Sequence, residues 1–537
     1  MAVEATSVAG SAGHSDACRI LGASGIGLTL DNPEAARRHH CSDGGAMTLS
    51  STTDAPPVGR TFFGLPRTMF PVAGFAGFDA LSFYGMQTIL VYYVYFSASE
   101  GGLALEPAVA IAIVSTSSAA TFLATIFMGW LADNVLGAGR GLRYGAVLAF
   151  AGYLTLAIVP GAIGLTIGLI AIAFGAASMW VSEGVVLGGT LDAHESHREA
   201  GFTVYYLGSA GGALIGITLS GVLQSAVGFR LGFLASAVAI LIGLLIYLPF
   251  RRGTEATAPP VPVAGVRGWA LAWPIAAVAF AIALVVGSVA AGFNPATIVG
   301  LGALVLAVGA LVKLLSRRDL TREQKGRVIR YLPFFVATGV FAMLYQQLYT
   351  TVAIHSEAST DRVVFGVELP PSTVLGIAPL CTILVAPILA AVWGRLGDRQ
   401  PSLAVKFAVA FAGCAIGMGW LAVASGAGGL TPIIVLVFIV FVFGASDVVV
   451  SPSGLSLATA VAPPGFETRM LSVHYLAVAM GIAAAGVTGE GFVPGENETG
   501  YFAAFAIVGA AVAVAMIVVR IGFGRRLVAV EGVEVVR

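Results

Sequence analysis

Four ionisable side chains stand inside long apolar stretches of this chain: Asp79, Glu183, Asp447 and His474. A charge at the centre of a membrane helix costs about 2.5–3.5 kcal/mol on insertion scales. Such a group persists where it faces protein or water, so each marks a candidate site. No Lys or Arg sits deep in the same stretches, which leaves an acidic, proton-titratable inventory with no fixed cation. Burial disfavours the charged form of a carboxyl group, and an imidazole titrates nearest neutral pH. All four are therefore candidate sites of proton uptake and release. Around them stand groups suited to recognising a polar solute. Asp79, Phe83 and Gln87 follow i, i+4, i+8 spacing and share a helix face, and Tyr345 and Tyr349 do likewise beside Gln346 and Gln347. If those faces point inward, they and Tyr84 line a pocket of amides and aromatics. The plainer alternatives are carboxyls bonded to neighbouring helices for stability alone, a histidine that only packs, and lipid-facing tyrosines near an interface.

The elements that must position these groups are membrane helices. Of the 537 residues, 57% are hydrophobic and 10% charged, with a mean hydropathy of +0.91. A soluble protein carries about 25% charged residues, so this is an all-α polytopic membrane protein. The net charge is zero and gives no hint of a nucleic-acid partner. Four scattered cysteines are too few for a disulfide framework, and Cys381 and Cys414 read as buried thiols. No metal-ligand cluster, nucleophile elbow or paired catalytic acids occur in the loops, so an enzyme is not expected and neither cofactor nor metal is implied.

Residues 1–66 are rich in Ser, Gly, Ala and Asp, lack a signal-peptide core, and read as a disordered cytoplasmic tail or an over-long start. Within it, His39, His40 and Cys41 are read as solvated. Apolar windows then fall near 69–97, 107–132, 142–160, 162–188, 200–225 and 231–249, followed by a Pro-rich break. Two more lie near 269–291 and 296–315, and after a basic stretch six more near 331–355, 372–394, 404–425, 431–460, 470–489 and 501–521. The expected domains are a six-helix bundle at 67–250, a linker with two extra membrane helices at 251–327, a second six-helix bundle at 328–525 and a tail at 526–537. Lys and Arg collect in alternate loops, which places both termini in the cytoplasm of a plasma or inner membrane.

Two short loops repeat across the halves. Gly129-Trp-Leu-Ala-Asp133-Asn-Val-Leu-Gly137-Ala-Gly-Arg140 follows the second segment, and Gly394-Arg-Leu-Gly397-Asp398-Arg399 occupies the matching place in the second half. The pair resembles the loop motif of the major facilitator superfamily and its relic six helices later. That resemblance implies two six-helix bundles around a midplane cavity, working by rocking.

Further motifs narrow the likeness. Ser82-Phe-Tyr-Gly-Met86, Arg198-Glu-Ala-Gly-Phe-Thr-Val-Tyr-Tyr206, the run from Trp393 to Phe407, and Ser451-Pro-Ser-Gly-Leu-Ser456 followed by Ala462-Pro463 are similar to motifs of the proton-dependent oligopeptide transporter family. That family carries a comparable inserted helix pair. The resemblance implies proton-coupled movement of di- and tripeptides by a monomer in the lipid bilayer. Several charged positions depart from the family pattern. Its helix-one glutamates and arginine fall on Ala76, Asp79 and Ala80, its carboxylate-gripping arginine on Gln87, its helix-four lysine on Leu187, and its helix-seven glutamate on Gln346. Its helix-five asparagine falls on Ala210, while helix ten keeps an acid, Asp447.

No cation remains to hold a free carboxylate by a bidentate bond, so the residues favour an amine-bearing or modified-peptide substrate. Export of a cationic drug or metabolite is the runner-up. A non-transporting sensor or scaffold is the reading from another class.

Overall fold

The computed structural model describes residues 61–62, 65–191, 198–256, 268–464 and 466–523. The two expected tails, with His39, His40 and Cys41, lie almost wholly outside the described residues. Fourteen long helices are described. The first six are α1 (Met69–Tyr95), α2 (Pro107–Leu131), α3 (Ala138–Ile158), α4 (Gly161–Leu191), α5 (Arg198–Val227) and α6 (Phe229–Tyr247). Next come α7 (Gly268–Ala290) and α8 (Pro295–Leu315). The last six are α9 (Arg322–Gln346), α10 (Ile377–Leu396), α11 (Leu403–Ser425), α12 (Ile433–Ala460), α13 (Glu467–Thr488) and α14 (Glu498–Phe523).

Local chemistry explains several of the boundaries. Pro107 and Pro295 open α2 and α8 at a position where a missing N–H costs nothing. Gly137 and Gly228, with φ of 77° and 115°, turn the chain before α3 and α6. Helix α9 starts at Arg322, well before the apolar window expected from 331, because Thr321 and Gln324 form a reciprocal capping box. It therefore takes in part of the basic stretch. At its other end it breaks into a 3₁₀ turn, Gln347–Tyr349, and resumes as a short helix, Thr351–Ala358.

Among the described residues thirteen spans are long and apolar enough to cross a membrane, and α1 is the long helix missing from that set. Its twenty-seven residues include Asp79, Gln87 and four tyrosines, and Asp79, Gln87 and most of their neighbours are buried in protein. The helix that is worst suited to lipid is thus the one most enclosed by other helices.

The helices form two six-helix bundles. In the first, α1 packs on α5 and α6, and α3 on α4 and α6; in the second, α9 packs on α13, and α11 on α12 and α14. Lipid supplies no hydrophobic drive between helices, so close approach depends on small residues. A Cβ added to Gly212 of α5 would overlap the Gly77 carbonyl of α1, and one added to Gly481 of α13 would overlap that of Gly339 in α9. The bundles meet where α2 packs on α13 and where α5 packs on α10. The inserted α8 leans on α2 and α13, whereas α7 touches mainly α8 and exposes Trp273 and Phe280.

Candidate functional site

A cavity of about 800 Å³ lies between the bundles. Its walls include the middle of α1 (Tyr84, Gln87), the first turns of α5 (Phe202, Tyr206), α9 (Tyr345, Gln346), the latter halves of α10 and α12 (Trp393, Ser451), and α13 (His474). These stretches lean toward the end of the molecule where α1 begins. Arg140, Arg143, Arg251, Arg317, Arg399 and Lys406 collect at that same end, the basic end. Among the described residues, no Lys or Arg lines the chamber.

At the far end the bundles are latched. The Tyr92 hydroxyl donates to the Ala353 carbonyl at 2.9 Å, and the Tyr95 hydroxyl donates to the Glu357 carboxylate. Both acceptors sit on the short helix Thr351–Ala358. His355, between them, is fully buried. Its Nδ1 lies 2.9 Å from Glu498 Oε2, and its Nε2 lies 3.0 Å from Thr431 Oγ1. The latch plate is thereby fixed to α14 and to the start of α12.

Several candidate residues meet in the chamber. Gln87 donates to Ser118 at 2.8 Å, and both line it. Tyr84, Tyr345 and Tyr349 form a ring cluster, with centroids 6.5 Å apart for Tyr84–Tyr349 and 6.3 Å for Tyr345–Tyr349. Asp447 is on the opposing wall, where Ser451 donates to it at 2.5 Å. Pro387 and Pro452, also on the wall, each leave the carbonyl four residues earlier without its helical partner. His474 lines the chamber and rests 3.1 Å from the Tyr331 hydroxyl. The Gln346 Nε2 is buried with no protein partner.

Other candidates are placed elsewhere. Gln347 is turned away from the chamber. It is fully buried, and its Oε1 accepts from Thr351 at 2.7 Å and from Tyr501 at 3.0 Å. Adjacent helical residues point about 100° apart, and the tight turn that starts at Gln347 adds to the divergence. Asp79 shares a stripe with Phe83 and Gln87 yet does not reach the chamber wall, because Trp180 of α4 covers it. The indole Nε1 donates to Asp79 Oδ2 at 2.9 Å, and the ring stacks edge-on to Phe83 at 5.0 Å. Glu183 is likewise screened, with Tyr205 donating to its Oε2 at 2.7 Å.

The two repeated loops lie at the basic end, outside the chamber lining. Asp133 falls in a single wide turn, Ala132–Leu136, and both it and Arg140 are exposed; Gly129 sits in the last turn of α2. Gly394 and Arg399 are exposed near the end of α10, and the Asp398 side chain lies outside the described residues. Just before them Trp393 reaches the chamber mouth, with Lys406 Nζ 4.3 Å from its ring centroid.

Sequence reasoning missed Trp180, Tyr205, Tyr206, Ser118 and the His355–Glu498 pair. Two signals were available. Trp180 and Glu183 stand at i, i+3 on one helix face, and Tyr205 occupies a position where the family motif has phenylalanine.

Two six-helix bundles enclosing a solute-sized chamber, latched at one end, define a membrane transporter of the rocking type. The family described as Major Facilitator Superfamily matches residues 69–486. The transporter YclF of Bacillus subtilis (strain 168) is 30% identical over 464 residues, 84% of this chain and 92% of that protein. A di-/tripeptide transporter of Lactococcus lactis subsp. cremoris is 28% identical over 482 residues, 86% of this chain and 96% of that protein. A crystal structure of a peptide transporter POT in complex with sulfate superposes with a TM-score of 0.82 at 30% identity, covering 88% of this chain and 98% of that one. The chain belongs to the Major Facilitator Superfamily and, within it, to the proton-dependent oligopeptide transporter family.

Proposed function

We propose that the protein is a proton-coupled secondary transporter of small peptides or peptide-like, amine-bearing solutes, working by alternating access. One observation carries the substrate side of this reading. The 800 Å³ chamber presents Asp447, amides and tyrosines, and no cation lines it. That volume falls in the ~300–1,000 Å³ range of small-molecule sites. An ammonium group can meet Asp447 and the faces of the tyrosines, whereas no Lys or Arg is among the described lining residues to meet a free substrate carboxylate, Lys406 standing outside the lining over Trp393. The names of the Lactococcus relative and of the solved structure support a peptide-like cargo.

The Lys and Arg bias makes the basic end cytoplasmic, with both termini on that side of the plasma membrane. The conformation described is then the inward-facing one, carried by a monomer. The loops around Gly129, Asp133 and Arg140, and around Gly394, Asp398 and Arg399, serve as hinges of the cytoplasmic gate.

The test is flux into proteoliposomes under an imposed pH gradient, comparing a neutral dipeptide with an amine-bearing compound that lacks a carboxylate. Proton-driven movement of the amine alone supports the acidic-chamber reading. Equal movement of the dipeptide shows that a carboxylate needs no cation here. Movement of neither overturns the reading. Export of a cationic compound is the second reading, favoured by the same cation-free lining.

A further inference from the structure

Asp79 and Glu183 are arranged alike. Each carboxylate accepts one hydrogen bond, from Trp180 Nε1 and from the Tyr205 hydroxyl respectively. Each has a second oxygen, Asp79 Oδ1 and Glu183 Oε1, that is buried with no protein partner. The residues are 3% and 1% exposed, and Trp180, which bonds Asp79, stands one turn before Glu183 on α4, so the helix that covers the first acid carries the second beside it. Among the described residues no Lys or Arg bonds to either. The titratable groups facing them are Tyr84 on α1 itself, Tyr153 on α3 and Tyr205 on α5. Tyr247 of α6 packs nearby on Phe75, and α2 carries no ionisable side chain. The charged groups on the other elements packed against α4 are Asp133, Arg140, Arg143, Arg251 and Arg252, which stand at the basic end; the groups facing the pair are tyrosines, which are neutral at physiological pH. Two uncompensated anions in such a place repel and are poorly solvated, and one added proton relieves both costs.

The two donors are the only parts of this arrangement that touch the chamber. Trp180 and Tyr205 both line it, whereas Asp79 and Glu183 do not. Trp180 is also in a chain of rings, 5.0 Å from Phe83 and 5.5 Å from Phe122, and Phe122 is 6.2 Å from Tyr475 on the opposite bundle. A change in the chamber's contents, or in the angle between bundles, therefore reaches Trp180 before it reaches Asp79.

We propose that Asp79 and Glu183 act as a pair that takes up one proton between them, and that Trp180 and Tyr205 are the positioning residues linking that pair to the chamber. The proton arrives through the chamber and binds Asp79 Oδ1 or Glu183 Oε1, and no other bond changes. Asp447 is left to the substrate and His474 to Tyr331. This inference rests on the transport reading for its purpose but not for its test.

The test is a pH titration of the full-length protein, without substrate, followed by infrared difference spectroscopy in the carbonyl stretch of protonated carboxyl groups. One buried carboxyl band titrates in the wild type and is absent from the D79N/E183Q double variant. Removing a donor to the ionised form favours the protonated form. Trp180→Phe and Tyr205→Phe each therefore move the midpoint to higher pH, by roughly one unit for a charge-assisted bond. Trp420→Phe, far away on α11, leaves it in place. A cooperative thermal unfolding transition in detergent, retained in the same variants, shows that they fold. Two bands that titrate independently, or a midpoint unmoved in both donor variants, overturn the proposal. Wild-type liposomes that show this band yet move neither probe under a pH gradient overturn the transport reading and leave the pair standing.

Discussion

The two bundles treat their acids in opposite ways. The first hides Asp79 and Glu183 behind an indole and a phenol, each with a free buried oxygen. The second puts Asp447 on the chamber wall, where it accepts from Ser451, and buries another carboxylate, Glu498, with His355 beneath the far-end latch. A carboxylate on an open wall can be met by a solute's ammonium group. A carboxylate behind an aromatic screen is reached by a proton and by little else. Under the two proposals above, the acid that meets the substrate belongs to the second bundle and the acids that hold the proton to the first, while both bundles line the chamber.

The largest effect expected from probing this contrast is structural. His355→Leu leaves Ser359 as the side-chain donor to the buried Glu498, and taking a hydrogen-bond partner from a buried charged group costs about 3 kcal/mol. Thermal unfolding in detergent is expected to show a clear loss of stability, and an unchanged transition would mean the pair is not a clamp. Asp447→Asn comes next. Losing the charge from a hydrogen-bonded ammonium site costs about 1.5–3 kcal/mol, so the KM for an amine-bearing substrate should rise roughly 10- to 100-fold. The wild-type infrared band should stay where it is, and a displaced band would merge the two roles that the bundles keep apart.

A smaller effect is expected at the latch. Tyr95→Phe removes one of its hydrogen bonds, worth about 1 kcal/mol, and should raise the fraction of molecules open at the far end several-fold. Accessibility of a cysteine introduced near Tyr92 to a membrane-impermeant thiol reagent measures that fraction. The smallest contrast is between neighbours. Gln346→Ala should alter substrate KM, while Gln347→Ala should leave it unchanged and lower only stability. Equal KM effects from the two would show that the chamber extends behind the turn at Gln347.

Much of the architecture was legible because it follows from local rules. Membrane helices must satisfy their backbone internally, so apolar windows locate them, and the repeated loops at Gly129–Arg140 and Gly394–Arg399 reveal the two halves. The candidate site was legible only as an inventory. The spacing of Asp79, Phe83 and Gln87 makes one surface, and the structure divides it, because Trp180, 101 residues further along, covers its first member. Gln346 and Gln347 stand side by side in the sequence and are divided by a turn that the apolar pattern does not mark.

The sequence alone determined the order of the long apolar helices, the repeat that relates their halves, and the few titratable groups carried within them. These follow from composition and period, which act within a single helix. Only the tertiary structure decided which acid meets the chamber and which is screened from it. That depends on the rotation of each helix about its axis and on side chains supplied by its neighbours. Trp180 reaches Asp79, and Tyr205 reaches Glu183, only once α1, α4 and α5 have packed together.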